Sequence, residues 1–108
     1  MYVNRIYYSD GVYGLKTAAK YYYGKELSQL TLPQMALLAG LPQHPNTYNP
    51  YDNVEAAKTR RDTVLYLMQY HGKITEQEAT AAKNTDVLAG IIKRNENERV
   101  ILSSEFDS

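Results

Sequence analysis

The sequence predicts an all-α domain of four or so helices around a proline-rich loop, and three observations predict it. Apolar residues recur at helical spacing on both sides of residues 40–50. Two boxes, Thr31 to Gln34 and Thr75 to Glu78, have the Thr-x-x-Gln/Glu form that starts helices. Three of the four prolines fall between Gly40 and Pro50. Each fixes φ near about −65° and pushes the residue before it out of the helical region, so Leu41, His44 and Asn49 are expected to be extended.

Composition sets the frame. A chain of 108 residues with 44% apolar content fits one small domain with one modest core. Formal net charge is zero, so nothing global argues for nucleic acid or an anionic membrane surface. The absence of cysteine excludes disulfides and thiolate metal sites and leaves the redox compartment undecided. Eleven tyrosines stand against one phenylalanine and no tryptophan. Tyrosine has an apolar ring and a polar tip, which suits the wall of a wet groove. No run approaches the roughly 18 to 20 apolar residues of a membrane span, and no signal peptide is present.

The elements follow in order. Apolar and aromatic residues stand close to Met1, an abrupt start that reads as a domain begun earlier. Ser9-Asp10-Gly11 is a turn signal, and Val12, Leu15, Ala18, Ala19 and Tyr22 then mark a first helical face with Gly14 inside it. Gly24 ends that helix. Glu26 to Leu30 reads as a short turn burying Leu27 and Leu30. Thr31 caps a second helix, with Pro33 in its first turn, that stops at Gly40 and is expected to be the most buried. Asn53 caps a third helix from Val54 to Tyr70, closed by Gly72. Its inward stripe is expected at Ala57, Val64, Leu67 and Met68, with Leu65 on the flank. Arg60 and Arg61 face different sides, Arg61 the interior, where it needs a carboxylate, a carbonyl or an anionic ligand. Thr75 opens a fourth helix ending near Asn84, and Val87, Leu88, Ala89, Ile91 and Ile92 pack back as a last turn. From Lys93 the composition is that of a polar tail in which only Val100, Ile101, Leu102 and Phe106 are suited to docking.

Chemistry is sparse. His44 and His71 show no metal-ligand spacing and read as surface or cap residues. No Gly-x-Ser-x-Gly elbow, P-loop or dinucleotide fingerprint occurs. Asp10, Glu26, Asp52, Glu55, Asp62, Glu76, Glu78 and Asp86 fall at turns, helix starts or exposed faces, and no pair of them forms an acid/base couple.

The residues do carry a resemblance. Tyr2 to Lys25 resembles the pattern Y-[LM]-N-x-[IV]-Y-[FY]-G-x-G-x-x-G-[IL]-x-x-A-A-x-x-Y-[FY]-G-K of peptidoglycan glycosyltransferases, the transglycosylase domains of class A penicillin-binding proteins and of monofunctional glycosyltransferases. Leu32 to Pro50 resembles the next block, L-x-[EQ]-x-A-x-L-A-G-L-x-x-x-P-x-x-Y-[ND]-P, and Ala56 to Leu65 resembles the A-x-x-R-R-x-x-V-L helix. The match runs from about Tyr2 to Asp86 in one order, with Ser9 where glycine is usual.

The resemblance implies a lysozyme-like helical fold and a parent that polymerises lipid II, extending a glycan strand at the outer face of the bacterial cytoplasmic membrane. The family's base is a glutamate in an E-D-x-x-F-x-x-H-x-G motif, and a second glutamate lies in R-K-x-x-E. Neither motif occurs in this sequence. Residues 1–92 are therefore expected to be the C-terminal part of the domain, inactive alone, and 93–108 a tail or linker. The membrane-contacting part and the pyrophosphate-holding basic residues are expected upstream. No catalytic residue, metal ligand or cofactor is assigned to this chain; the resemblance leaves a divalent metal open for the parent.

Four positions are read as substrate-binding. Asn4 and Tyr7 lie in the block that borders the cleft in the family, Asn49 offers an amide to sugar hydroxyl or acetamido groups, and Arg61 offers a fork for phosphate or carboxylate. The structural alternatives are Asn4 as a cap, Tyr7 as core, Asn49 as a turn former and Arg61 as a buried pair. Truncation of a domain also predicts self-association. A helical-repeat interaction module is the second reading, but the tyrosine pattern does not recur at a fixed period. A lysozyme-type hydrolase is the third, and it lacks a cleft carboxylate.

Overall fold

Ahead of the first helix the chain makes a tight hairpin, where Tyr7 and Tyr13 form an antiparallel bridge. The computed structural model describes residues 6–93, so Asn4 and the possible docking residues Val100, Ile101, Leu102 and Phe106 lie outside the described residues. Tyr8 N–H donates to Val12 O at 2.8 Å and Gly14 N–H to Ile6 O at 2.7 Å. The helix expected from Val12 begins later, as α1, Leu15–Tyr23, with Gly14 outside it as the N-cap. The reason is the backbone: Ser9, Asp10, Gly11 and Gly14 have φ of 72°, 52°, 74° and 88°, left-handed values that a right-handed helix cannot contain.

Gly24, at φ 66° and ψ 28°, ends α1 as its sequence position predicts, and its N–H reaches Lys20 O. A single 3₁₀ turn, Leu27–Gln29, follows, with Leu27 and Leu30 only partly buried against the core. Helix α2, Leu32–Gly40, starts at Thr31, whose N–H donates to Gln34 Oε1 at 2.9 Å. The chain does not leave helical space at Gly40. Leu41 has φ −65° and ψ −42° and opens a 3₁₀ turn, Leu41–Gln43, rather than extending before Pro42. Leu41 is fully buried, and such burial contributes roughly 2 kcal/mol, which offsets the steric bias of a pre-proline residue.

Helix α3, Val54–Tyr70, is capped by Asn53, which accepts from Ala56 N–H at 3.3 Å. Its other end closes as a Schellman motif, with Lys73 N–H on Met68 O and Gly72 N–H on Gln69 O. The buried stripe is Ala57, Arg61 and Leu65, with Val64 and Met68 beside it. Leu67, expected inside, is 42% exposed, and Leu65, expected on the flank, is fully buried. Helix α4, Glu76–Lys83, begins with the Thr75 box, complete in both directions: Glu78 N–H to Thr75 Oγ1 and Thr75 N–H to Glu78 Oε1. The segment after α4 does pack back, with Val87 buried and Ile92 N–H bonded to Tyr22 O at 2.8 Å.

Helix α2 stands between two apolar clusters. Its Leu37 and Leu38 join Tyr8, Val12 and the tyrosines of α1, while Ala36 meets Leu65 of α3 and Ala82 of α4. Helix α2 is not more buried than α1, which also has five buried residues among its nine. Gly40 permits close approach to α3, since a Cβ there would stand 2.7 Å from Arg60 Cγ. The tyrosines divide: Tyr8, Tyr21, Tyr22 and Tyr23 are core, whereas Tyr13, Tyr66 and Tyr70 are exposed. The groove-wall reading of the tyrosines thus fails for the first four. Their hydroxyls need internal partners, and Tyr22 Oη finds Tyr8 O at 2.6 Å. The described helices, of 9, 9, 17 and 8 residues, do not form a repeat.

Candidate functional site

The proline-rich segment and the hairpin are one structural unit. Asn49, fully buried, donates through Nδ2 to Ser9 Oγ at 3.0 Å and to Asp10 Oδ1 at 2.8 Å. Its Oδ1 accepts from Tyr51 N–H at 2.9 Å, and its backbone carbonyl accepts from Asp52 and Asn53 N–H. Ser9 Oγ in turn donates to Asn46 Oδ1 at 2.9 Å, and Tyr21 Oη donates to Asp10 Oδ2 at 2.7 Å. The chain Asn46, Ser9, Asn49, Asp10, Tyr21 therefore fastens the hairpin to the loop and to α1. Every polar atom of the Asn49 amide makes a hydrogen bond within the protein, the geometry of a bracket between hairpin and loop.

What the bracket holds is an aromatic surface. Tyr7, half-buried, and Tyr13, 38% exposed, lie with ring centroids 5.1 Å apart at 42°, beside Ile6, 40% exposed. Tyr7 Oη accepts from Gly11 N–H at 3.3 Å. Exposed tyrosine rings with polar tips offer faces to sugar C–H groups and hydroxyls to sugar oxygens. Burial holds the neighbouring Tyr8 phenol above its ordinary pKa.

Arg61 belongs elsewhere. It is 1% exposed, and its guanidinium donates to Thr85 O at 2.8 Å, Lys83 O at 3.0 Å and Asp62 Oδ1 at 3.1 Å. Its carbonyl partners are the last residue of α4, Lys83, and Thr85 just beyond it, where a cation also meets the negative pole of the helix. The fork read as a phosphate or carboxylate holder makes its hydrogen bonds here within the protein, between α3 and the end of α4. The sequence-predicted set is therefore not brought together: Tyr7 and Asn49 share the hairpin end, Arg61 lies among the carbonyls at the end of α4, and Asn4 is outside the described residues.

Sequence reasoning missed Ser9, Asp10 and Asn46. Asp10 looked like one more turn carboxylate. The available signal was Ser9, standing where glycine is usual; its φ of 72° shows why glycine fits there, and its hydroxyl occupies the centre of the network. His44 is exposed with its ring 6.0 Å from Tyr48, and His71 is the C-cap of α3, both in surface or cap roles.

The buried polar side chains among the described residues are Ser9, Gln34, Asn49 and Arg61, with no acid among them. The described residues hold no group of three or more His, Asp or Glu able to share a metal ion. No described helix is long and apolar enough to cross a membrane.

Comparison with known proteins gives consistent findings. A family model described as Transglycosylase matches residues 1–69. Penicillin-binding protein 1A of Streptococcus pneumoniae is 50% identical over 90 residues, 83% of this chain and 12% of that protein. Penicillin-binding protein 1A of Escherichia coli is 45% identical over 78 residues, 72% of this chain and 9% of that protein. The crystal structure of penicillin-binding protein 1A from Haemophilus influenzae superposes with a TM-score of 0.79 at 31% identity, covering 99% of this chain and 17% of that one. The chain spans only a small part of each.

Proposed function

Because the chain belongs to the transglycosylase family, in the lysozyme-like fold of class A penicillin-binding proteins, we propose that it forms one wall of a peptidoglycan glycosyltransferase cleft. The parent polymerises lipid II at the outer face of the cytoplasmic membrane, and this wall guides the glycan strand. One observation carries the reading. The Tyr7 and Tyr13 rings are presented together on a hairpin that the Asn46, Ser9, Asn49, Asp10 and Tyr21 network holds in place.

In this reading Tyr7 and Tyr13 contact sugar, while Asn49 and Arg61 act through position, one fixing the hairpin and the other fixing α4. Asn4, in the same sequence block as Tyr7, is assigned to the cleft border. The chain alone does not polymerise lipid II. The two glutamate motifs are absent from its sequence, and no described carboxylate is buried to serve as a base. Exposed Tyr66, Leu67 and Tyr70 on α3 favour self-association, which light scattering reads as an apparent mass above 12.3 kDa.

The test has two arms. Incubation with labelled lipid II should give no glycan polymer, and polymer would overturn the inactive-wall reading. Titration with soluble glycan oligomers should perturb Tyr7 and Tyr13 resonances, and Tyr7→Ala should weaken binding about tenfold, equal to about 1.4 kcal/mol. Unchanged affinity in Tyr7→Ala would remove the hairpin from the site.

A further inference from the structure

A pocket of about 200 Å³ lies away from the hairpin network, where the end of α1, the start of α2, α3 and the turn after α4 meet. Tyr23, Pro33, Gln34, Arg61, Val87 and Gly90 are in its wall. Two polar groups in that wall are buried without a partner among the described residues. Gln34 is 9% exposed and spends its Oε1 on Thr31 N–H, but its Nε2 makes no hydrogen bond among the described residues. Tyr23 is 5% exposed, and its hydroxyl has none either. Native interiors rarely leave such groups unpaired, and two that line one pocket point to a ligand.

The donors select its chemistry. Gln34 Nε2 offers only N–H groups, and burial holds the Tyr23 phenol protonated, well above its ordinary range, against the opposing pull of Arg61. The occupant must therefore present an acceptor. An anion is disfavoured, because Asp62 already stands 3.1 Å from the Arg61 guanidinium and Asp86 is also in the pocket wall. Desolvating a further carboxylate beside those two has no unspent positive charge to offset it. A neutral carbonyl meets the same donors without that cost. Gly90 keeps the place open, since a Cβ there would come within 2.5 Å of Gln34 Nε2.

We infer that this pocket binds a neutral amide group, its carbonyl oxygen accepting from Gln34 Nε2 and the Tyr23 hydroxyl and its alkyl side packing on Pro33 and Val87. A peptide bond and the N-acetyl group of an amino sugar both carry that chemistry. The inference is independent of the glycan surface on the hairpin.

The experiment is an NMR titration of the full chain with N-methylacetamide, then with N-acetylalanine methylamide and N-acetylglucosamine to separate the two sources, and with acetate. Expected are saturable shifts of the Gln34 side-chain amide and the Gly90 N–H with N-methylacetamide, and none with acetate. Gln34→Glu keeps the oxygen that caps α2 and removes the donors; Tyr23→Phe keeps the ring and removes the hydroxyl. Each should weaken N-methylacetamide binding about tenfold, the loss of one good hydrogen bond. Should Gln34→Glu fail to fold, Tyr23→Phe decides alone. Shifts that do not saturate, acetate binding as tightly as the amide, or unaltered binding in the variants would each overturn the assignment.

Discussion

At the hairpin end, residues 39 and 40 positions apart are tied by side-chain hydrogen bonds, with Asn49 reaching Asp10 and Ser9 across a turn of left-handed residues. Where α2, α3 and α4 meet, the joint is apolar, Ala36 against Leu65 and Ala82, and one buried cation, Arg61, is set beside it. Hydrogen bonds need their atoms within a few tenths of an ångström, so the first joint fixes the orientation of a surface loop. Apolar contact is non-directional, and the second joint mainly supplies stability. The polar joint suits a surface that must present two rings in one geometry, and the apolar joint suits the body that carries it.

The contrast can be broken most directly at Arg61. Arg61→Met removes a buried charge whose donors satisfy two carbonyls and Asp62, and should cost about 3 to 4 kcal/mol in denaturant unfolding. A loss below about 1 kcal/mol would mean that the apolar seam alone holds α4.

Asn49→Ala should cost less, about 2 kcal/mol, and should act locally. Hydrogen exchange at the Tyr8, Val12 and Gly14 amides, all bonded within the hairpin, should accelerate while the amides in the middle of α3 stay protected. Uniform acceleration across both regions would show that the two joints are one cooperative unit.

Tyr22→Phe sharpens the comparison further, since it deletes the bond from the hydroxyl to Tyr8 O and keeps the T-shaped packing on Tyr21 at 5.0 Å. About 1 kcal/mol should be lost, read from the same unfolding curves. The smallest effect is one of pH. Lys20, through its hydrogen bond and then its charge, holds the exposed Glu26 carboxyl below its ordinary value of 4.5. A depressed carboxyl stabilises above its unfolded pKa, and that contribution is lost as pH falls through the folded value. Lys20→Gln should therefore flatten the acid side of the stability profile slightly, and an unchanged profile would assign no role to this pair.

Sequence by itself determined what depends on near neighbours. The boxes at Thr31 and Thr75, the Asn53 cap and the glycine stops at Gly24 and Gly72 are all present, because a cap is a bond between residues three or four apart. The resemblance in the blocks from Tyr2 to Leu65 supplied the family. Tertiary structure alone decided the rest. A 3.6-residue period cannot tell Leu65 from Leu67 until α2 and α4 choose the face of α3 they cover. Periodicity through Val12 could not reveal that Ser9, Asp10 and Gly14 adopt positive φ, which moves the helix start to Leu15. Nor could it assign Asn49 to Ser9 and Asp10, or Arg61 to Thr85 and Lys83, because a polar side chain's partner is set by which distant backbone the fold brings within about 3 Å.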